Sequence, residues 1–484
     1  SVDKQIGVVP GMGQGSGSII LCAGNEKVFK FLEDVIDEVA VLFPSKYIHI
    51  GGDEAWKDYW KKCPRCAQRM KEENILHIEE LQSYFMRRIS TYVKSKGKNV
   101  MGWDELTNGT LPDDVIIFGW QGMGNAALKA AAQGHRFVLT PARLLYLIRY
   151  QGPQWFEPLT YFGNNTLKDV YMYEPVQSGW DKKYESLLMG VQASMWTEFC
   201  NIPHDVYYQV FPRLVALAEV AWSQKELKDW NSFVDRLDNV LLHLSAKGIN
   251  YSEAMFNIQH TVMPENGKLR VKLECERTDV KIRYTLDGKE PDMYSPVYTE
   301  SLSLEKGTTL RCASFQDDMR AGEILTLSLS GNKATGKPVL SENSRTSLLT
   351  NGVRGSLRQS DFEWCTWDNL SSATFTVDLQ KVEPVQKVVL GCLTNYGMAV
   401  HQPKYLKVEI SEDNRRFTQV GQRDFSEEDI FRNGNYVEDV TFTFNKRKAR
   451  YVRVTAKGFG GCPSYHYMRP GQPARYYFDE IQVE

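Results

Sequence analysis

Everything in this chain can be oriented from Tyr47-Ile48-His49-Ile50-Gly51-Gly52-Asp53-Glu54-Ala55-Trp56. Tyr47 to Ile50 has strand character and runs into two glycines, then into two adjacent carboxylates. Neighbouring side chains of a regular strand point to opposite faces, so Asp53 and Glu54 could not share a pocket in that geometry. Gly51 and Gly52 let the backbone leave it, and both carboxyl groups can then face one cavity. The ordinary fate of an Asp-Glu pair is a solvated loop. Here the apolar strand on one side and Trp56 on the other predict a desolvated pocket mouth, where one carboxyl stays protonated near neutral pH.

Working outward, strands and helices alternate. Asn25 is an N-cap for a helix with Val28, Leu32, Val35, Val39 and Leu42 on its apolar face, stopped by Phe43-Pro44. A second helix carries Leu81, Phe85, Ile89 and Tyr92 and ends at Gly97. Strands are expected at 99–103, 115–120, 136–140 and 190–193, with an alanine-rich helix from Asn125 to Gly134 and closing helices at 205–223 and 231–247. The strands are followed by chemistry: Asp104-Glu105, Trp120, and Trp196-Thr197-Glu198. That is the pattern of a (β/α) barrel, whose functional groups project from the C-terminal strand ends. Five strands can be counted, and a closed barrel takes eight.

Asp104-Glu105 is a rival acidic pair. It lacks a glycine pair to free its backbone and reads as pocket wall or support. His49, inside the strand, reads as a buttress hydrogen-bonded to the acids, since no partner stands at metal-ligand spacing.

From about Ile249 the period changes from 3.6 to 2. Leu269, Val271 and Leu273, then Ile282, Tyr284 and Leu286, alternate with polar residues ahead of an Asp287-Gly288 turn. Residues 249–335 read as a small β-sandwich. A link near Gly331 to Ser344 leads to a further all-β domain, 336–484, in which Trp364, Trp367 and Tyr396 are either ligand-binding loop aromatics or core.

The chain has 484 residues and a formal net charge of −2, so no basic field exists to hold nucleic acid or an anionic membrane. Aromatic residues make up 12%, with 11 Trp and 24 Tyr, and flat C–H faces of sugars stack on such rings. Nine cysteines form no disulfide framework, and Cys63-Pro64-Arg65-Cys66 is half of a zinc-ribbon spacing without a second pair. Gly11, Gly13, Gly15 and Gly17 read as a flexible loop, not a phosphate loop. Neither a membrane-spanning apolar run nor a signal peptide is visible in the sequence.

The hexapeptide from His49 to Glu54 resembles the signature of the family 20 glycoside hydrolases, the β-N-acetylhexosaminidases. The resemblance implies a multidomain protein with a (β/α)8 TIM-barrel catalytic domain at 1–248. The five strands would be its fourth to eighth, with the first three and a leading α/β domain missing from this polypeptide. Residues 282–291 resemble the immunoglobulin-like domain of bacterial members, and 336–484 resembles a discoidin-like jelly roll, a candidate carbohydrate-binding module. By the same resemblance Glu54 is the general acid, and Asp53 holds the substrate's acetamido N–H while the acetamido oxygen attacks C1. Trp103, Trp120 and Trp196 would wall the sugar, Tyr146 would bond the attacking oxygen, and Glu198 would hold distal hydroxyls. His49, Asp104 and Glu105 would support them.

No cofactor or metal is implied. The implied substrate is a glycan or chitooligosaccharide ending in β-linked N-acetylglucosamine or N-acetylgalactosamine, cleaved exo-wise with retention, outside a bacterial cytoplasm. One departure stands out. Relatives carry an acid two residues after the tyrosine, and this chain has Ile148 followed by Arg149, which suggests an anionic or substituted C6 such as a sulfated sugar. Alternatives are a non-catalytic glycan-binding protein, a lacto-N-biosidase or a sulfo-N-acetylglucosaminidase.

Overall fold

A computed structural model describes residues 20–265, 267–368, 372–466 and 469–484. The glycine run at 11–17 lies outside the described residues. The chain divides into two compact units, one ending at Arg149 and resuming over Asn165–Ser252, the other made of Tyr150–Asn164 and Glu253–Glu484.

The first unit is built on a five-stranded parallel sheet: β1 (Tyr47–His49), β2 (Asn99–Trp103), β3 (Ile116–Gly119), β4 (Phe137–Leu139) and a fifth strand, Leu188–Val191. Spatial order follows chain order, as in a barrel wall. His49 pairs with Met101, Trp103 with Phe118, and Gly119 with Leu139, so the strand ends that carry functional residues lie side by side. The fifth strand starts two residues earlier than its sequence suggests. The register shifts between Phe137 and Val138, opposite Gly190 at φ 148°.

Helices α1 (Glu26–Leu42), α2 (Asp58–Lys62), α3 (Pro64–Glu72), α4 (Ile78–Ser95) and α5 (Ala127–Ala132) alternate with these strands. Asn25 caps α1 as expected, its side chain accepting the Lys27 N–H. The buried face differs from the valine stripe: Val28, Phe29 and Ile36 go inside, while Val35 and Leu42 are exposed. Phe29 decides it, packing its ring 5.0 Å from Phe85 and 6.3 Å from Tyr84, a larger apolar contact than any valine offers. The helix expected over 205–223 is two helices, Pro203–Val210 and Arg213–Trp222, because Pro212 has no N–H to continue the first. No helix among the described residues is long and apolar enough to cross a membrane.

In the second unit, residues 259–328 form a three-stranded and a four-stranded antiparallel sheet. Lys268–Glu274 alternates strictly, with Leu269, Val271 and Leu273 buried. A seven-stranded sheet follows, centred on two 23-residue strands, Ala373–Asn395 and Asn435–Lys457, whose pairing shifts register between Asp378 and Glu383. The supposed link is tied down. Ser330, Asn332 and Thr335 all donate to the Glu480 carboxylate, as does the Gly352 N–H. Trp364 and Tyr396 are buried and so are core residues, while Trp367 is half-buried and packs on the core against Phe375 and Phe478.

Candidate active site

β1 ends where the ladder does. The Trp103 N–H still bonds the Gly51 carbonyl at 3.0 Å, after which Gly51 (φ 75°) and Gly52 (φ 103°) turn the chain away. Both angles suit glycine, and at Gly52 a Cβ would also sit 2.6 Å from the Leu106 side chain. Gln82 holds the turn by donating to the Gly52 carbonyl at 2.8 Å. Glu54 follows at φ 47°, a left-handed conformation that a glutamate seldom adopts.

Asp53 and Glu54 emerge together but exposed, and Trp56 beside them is 59% exposed, so it does not close the expected desolvated mouth. Both carboxyls nevertheless ionise less readily than usual. Partial loss of hydration raises each, and the charge of Glu105 adds to the effect on Asp53, as Asp53 and Glu105 do on Glu54.

Four aromatic groups stand at the strand ends. Trp120 and Tyr146 lie nearly parallel with centroids 6.0 Å apart, Tyr146 meets Trp196 at 6.0 Å, and Trp196 meets Trp103 at 6.1 Å. Tyr146 and Trp196 are neighbours because the 145–147 segment pairs with Ser194, through bonds from Ser194 N to Leu145 O and from Leu147 N to Ser194 O. Burial raises the Tyr146 phenol, and the charges of Asp104, Asp53 and Glu105 contribute, which puts it within electrostatic reach of all three acids.

His49 supports the acids indirectly. Its Nδ1 accepts the Gly51 N–H at 3.2 Å rather than bonding a carboxylate, and its ring packs on Trp103 and Phe118. Glu105 is a bridge, one oxygen accepting the Trp120 indole N–H at 2.8 Å and the other the Glu54 N–H at 3.4 Å. Asp104 is 1% exposed, accepts the N–H groups of Trp120 and Gln121, and is pushed up to about 7, chiefly by burial. Glu198 is exposed and makes no hydrogen bond or ion pair among the described residues. Ile148 is buried, and Arg149 Nε donates to the Ala142 carbonyl.

Two groups escaped sequence reasoning. Arg213, fully buried, donates to the carbonyls of Leu147, Arg149 and Asn165 and so fixes the loop that carries Tyr146. An arginine in an apolar helix was the only signal. Cys22 joins Cys63 and Cys66 in a group of thiols within 4.8 Å, across 41 and 44 residues of sequence.

Adjacent carboxylates and an aromatic cage at the C-terminal ends of barrel-type parallel strands define a carbohydrate-processing class of site. Comparison with known proteins narrows it: residues 5–225 match the glycosyl hydrolase family 20 catalytic domain. Residues 264–326 match the chitobiase/beta-hexosaminidase C-terminal domain and residues 335–468 the F5/8 type C domain. A beta-hexosaminidase of Porphyromonas gingivalis is 36% identical over 304 residues, 60% of this chain and 38% of its own. One of Vibrio furnissii is 36% identical over 39% of this chain and 31% of its own. The chain thus spans well under half the length of these relatives. Among solved structures, the exo beta-N-acetylglucosaminidase of Vibrio harveyi with N-acetylglucosamine is 32% identical, covering 48% of this chain and 37% of its own, with a TM-score of 0.43. A Bacteroides fragilis beta-N-acetylhexosaminidase is 29% identical over 48% of this chain and 47% of its own, TM-score 0.42.

Proposed function

We propose that the site belongs to an exo-acting, retaining β-N-acetylhexosaminidase that removes terminal β-linked N-acetylglucosamine or N-acetylgalactosamine. The observation that carries this reading is the pairing of Asp53 with Glu54 beyond two positive-φ glycines, joined through Glu105, which accepts both the Glu54 N–H and the Trp120 indole N–H, to the cage of Trp103, Trp120, Tyr146 and Trp196. Two carboxylates adjacent in sequence are badly placed to flank a glycosidic bond as separate acid and nucleophile. The substrate's own acetamido oxygen therefore serves as the nucleophile. It attacks C1 as Glu54 delivers a proton to the leaving oxygen, and a cyclic oxazolinium ion forms with net retention after hydrolysis. Glu54, now a carboxylate, takes a proton from the water that opens the ring. Asp53 accepts the acetamido N–H and offsets the developing charge, and the Tyr146 hydroxyl orients the acetamido oxygen.

The raised proton affinity of Glu54 supports the acid role, since a general acid must hold its proton near the working pH. We read Glu198 as the holder of distal hydroxyls and the protein as a bacterial, extracytoplasmic one, a reading supported by the two appended β domains and tested by cell fractionation. Hydrolysis of 4-nitrophenyl N-acetyl-β-glucosaminide decides the activity, measured on this chain and on the full natural gene product. Glu54→Gln should silence it. Hydrolysis that survives Glu54→Gln unchanged would reject the assignment.

A further inference from the structure

We propose that Cys22, Cys63 and Cys66 form a three-cysteine zinc site, its fourth position left to a solvent ligand, that ties the segment following Asp53-Glu54 to the start of α1. The Cys22 sulfur lies 3.7 Å from that of Cys63 and 3.6 Å from that of Cys66. A disulfide needs about 2.05 Å, so neither pair is bonded. A tetrahedron with metal–sulfur bonds of about 2.3 Å has edges of about 3.8 Å, close to both separations. An all-sulfur donor set favours a soft or borderline cation, and three thiolates plus one open corner suit zinc.

The surroundings are built for this. Cys63 precedes Pro64 at the first turn of α3, the usual position for the leading residue of a Cys-x-x-Cys pair before a helix. Gly24 allows the approach of the other arm, because a Cβ there would lie 2.2 Å from the Arg65 carbonyl oxygen and 2.7 Å from the Cys66 nitrogen. Arg65, between Cys63 and Cys66 in sequence, brings a positive charge next to the net negative charge that three thiolates leave around a divalent ion. Cys22 and Cys66 are buried and Cys63 is half-buried, so the fourth corner is open to a solvent ligand. Bonds from Trp60 to the Leu21 carbonyl and from Arg69 to Glu26 tie the same two segments together.

The other such group differs. Among the described residues His401, Cys462 and His466 are equally clustered, but the protons of the two imidazoles are already accounted for. His401 Nδ1 donates to the Ile430 carbonyl, and His466 Nδ1 accepts the Arg469 N–H, so His466 Nε2 carries a proton to share with His401 Nε2 at 3.3 Å. That cluster is complete without a metal.

The test begins with elemental analysis of the full chain, purified under reduction without added chelator. About one zinc per chain is expected, falling below about one tenth in Cys22→Ser and Cys66→Ser and unchanged in Cys200→Ser. Because those variants can fail to fold, the wild type is also titrated with cobalt and examined by X-ray absorption at the zinc edge. A thiolate-to-cobalt charge-transfer band and a shell of three sulfurs at about 2.3 Å are expected. Zinc retained by the Cys22→Ser, Cys66→Ser double variant would overturn the proposal. So would a wild type that takes up neither metal, or one two hydrogens lighter with a Cys22–Cys66 linked peptide, which would make the group a redox pair.

Discussion

Asp53-Glu54 and Asp104-Glu105 are the same dipeptide at the ends of neighbouring strands, yet they end up as different chemical objects. After β1 two glycines at positive φ release the backbone, and both acids stand exposed, with the Glu54 N–H held by Glu105. After β2 the chain goes straight from Trp103 into a 3-10 turn at Asp104–Asn108, which buries Asp104 under the N–H groups of Trp120 and Gln121 and turns Glu105 into a bridge. What separates the proposed proton carrier from the brace is the backbone before the acids, not the acids.

That contrast can be broken or sharpened. The largest effect should come from Glu54→Gln, which keeps shape and removes the proton: kcat should fall by about 10³-fold or more with little change in KM. A loss below tenfold would erase the distinction between the pairs. Glu105→Gln should cost less, about 10- to 100-fold in kcat, because it loosens the Glu54 backbone and the Trp120 indole without touching the reacting atoms. Crystallography of that variant should show the Trp120 ring rotated. Asp104→Asn should act mainly on stability. Its folded carboxyl holds its proton up to about pH 7, whereas an unfolded aspartate releases it near 3.9. The folded state therefore binds more protons across that window, and the contribution of Asp104 to stability is present below about pH 4 and lost as pH rises towards 7. Asparagine should flatten this slope in thermal melts recorded from pH 4 to 8. The smallest effect belongs to Trp56→Ala, which should change stability by less than about 0.5 kcal/mol, as expected of an exposed side chain.

Much of the catalytic region was legible because parallel strands advertise themselves. Runs such as 115–120 and 136–140 are short, apolar and bounded, and the residue after each strand must face the barrel mouth. Trp103, Trp120 and Trp196 stand at such strand ends, Tyr146 was singled out by the family resemblance alone, and the four do come together. What was illegible depended on packing across sequence distance. Nothing local says that Phe29 outweighs the valines of α1, that Arg213 reaches back to 147, or that Cys22 meets a pair more than 40 residues on. The aromatics of the last domain failed for the opposite reason. A tryptophan such as Trp364 reads alike whether it sits in a loop or in the core, and burial alone separates the two.

The left-handed backbone at Glu54 has a consequence for anyone altering this protein. A side chain bearing a Cβ is disfavoured at φ 47° by roughly 1 kcal/mol, and glycine or asparagine is better suited there. A search for stabilising substitutions guided by conformational preference would rank position 54 among the best to change. Accepting its advice would give a tougher protein from which the proposed acid had been deleted. At that residue a gain in melting temperature would be a sign of damage.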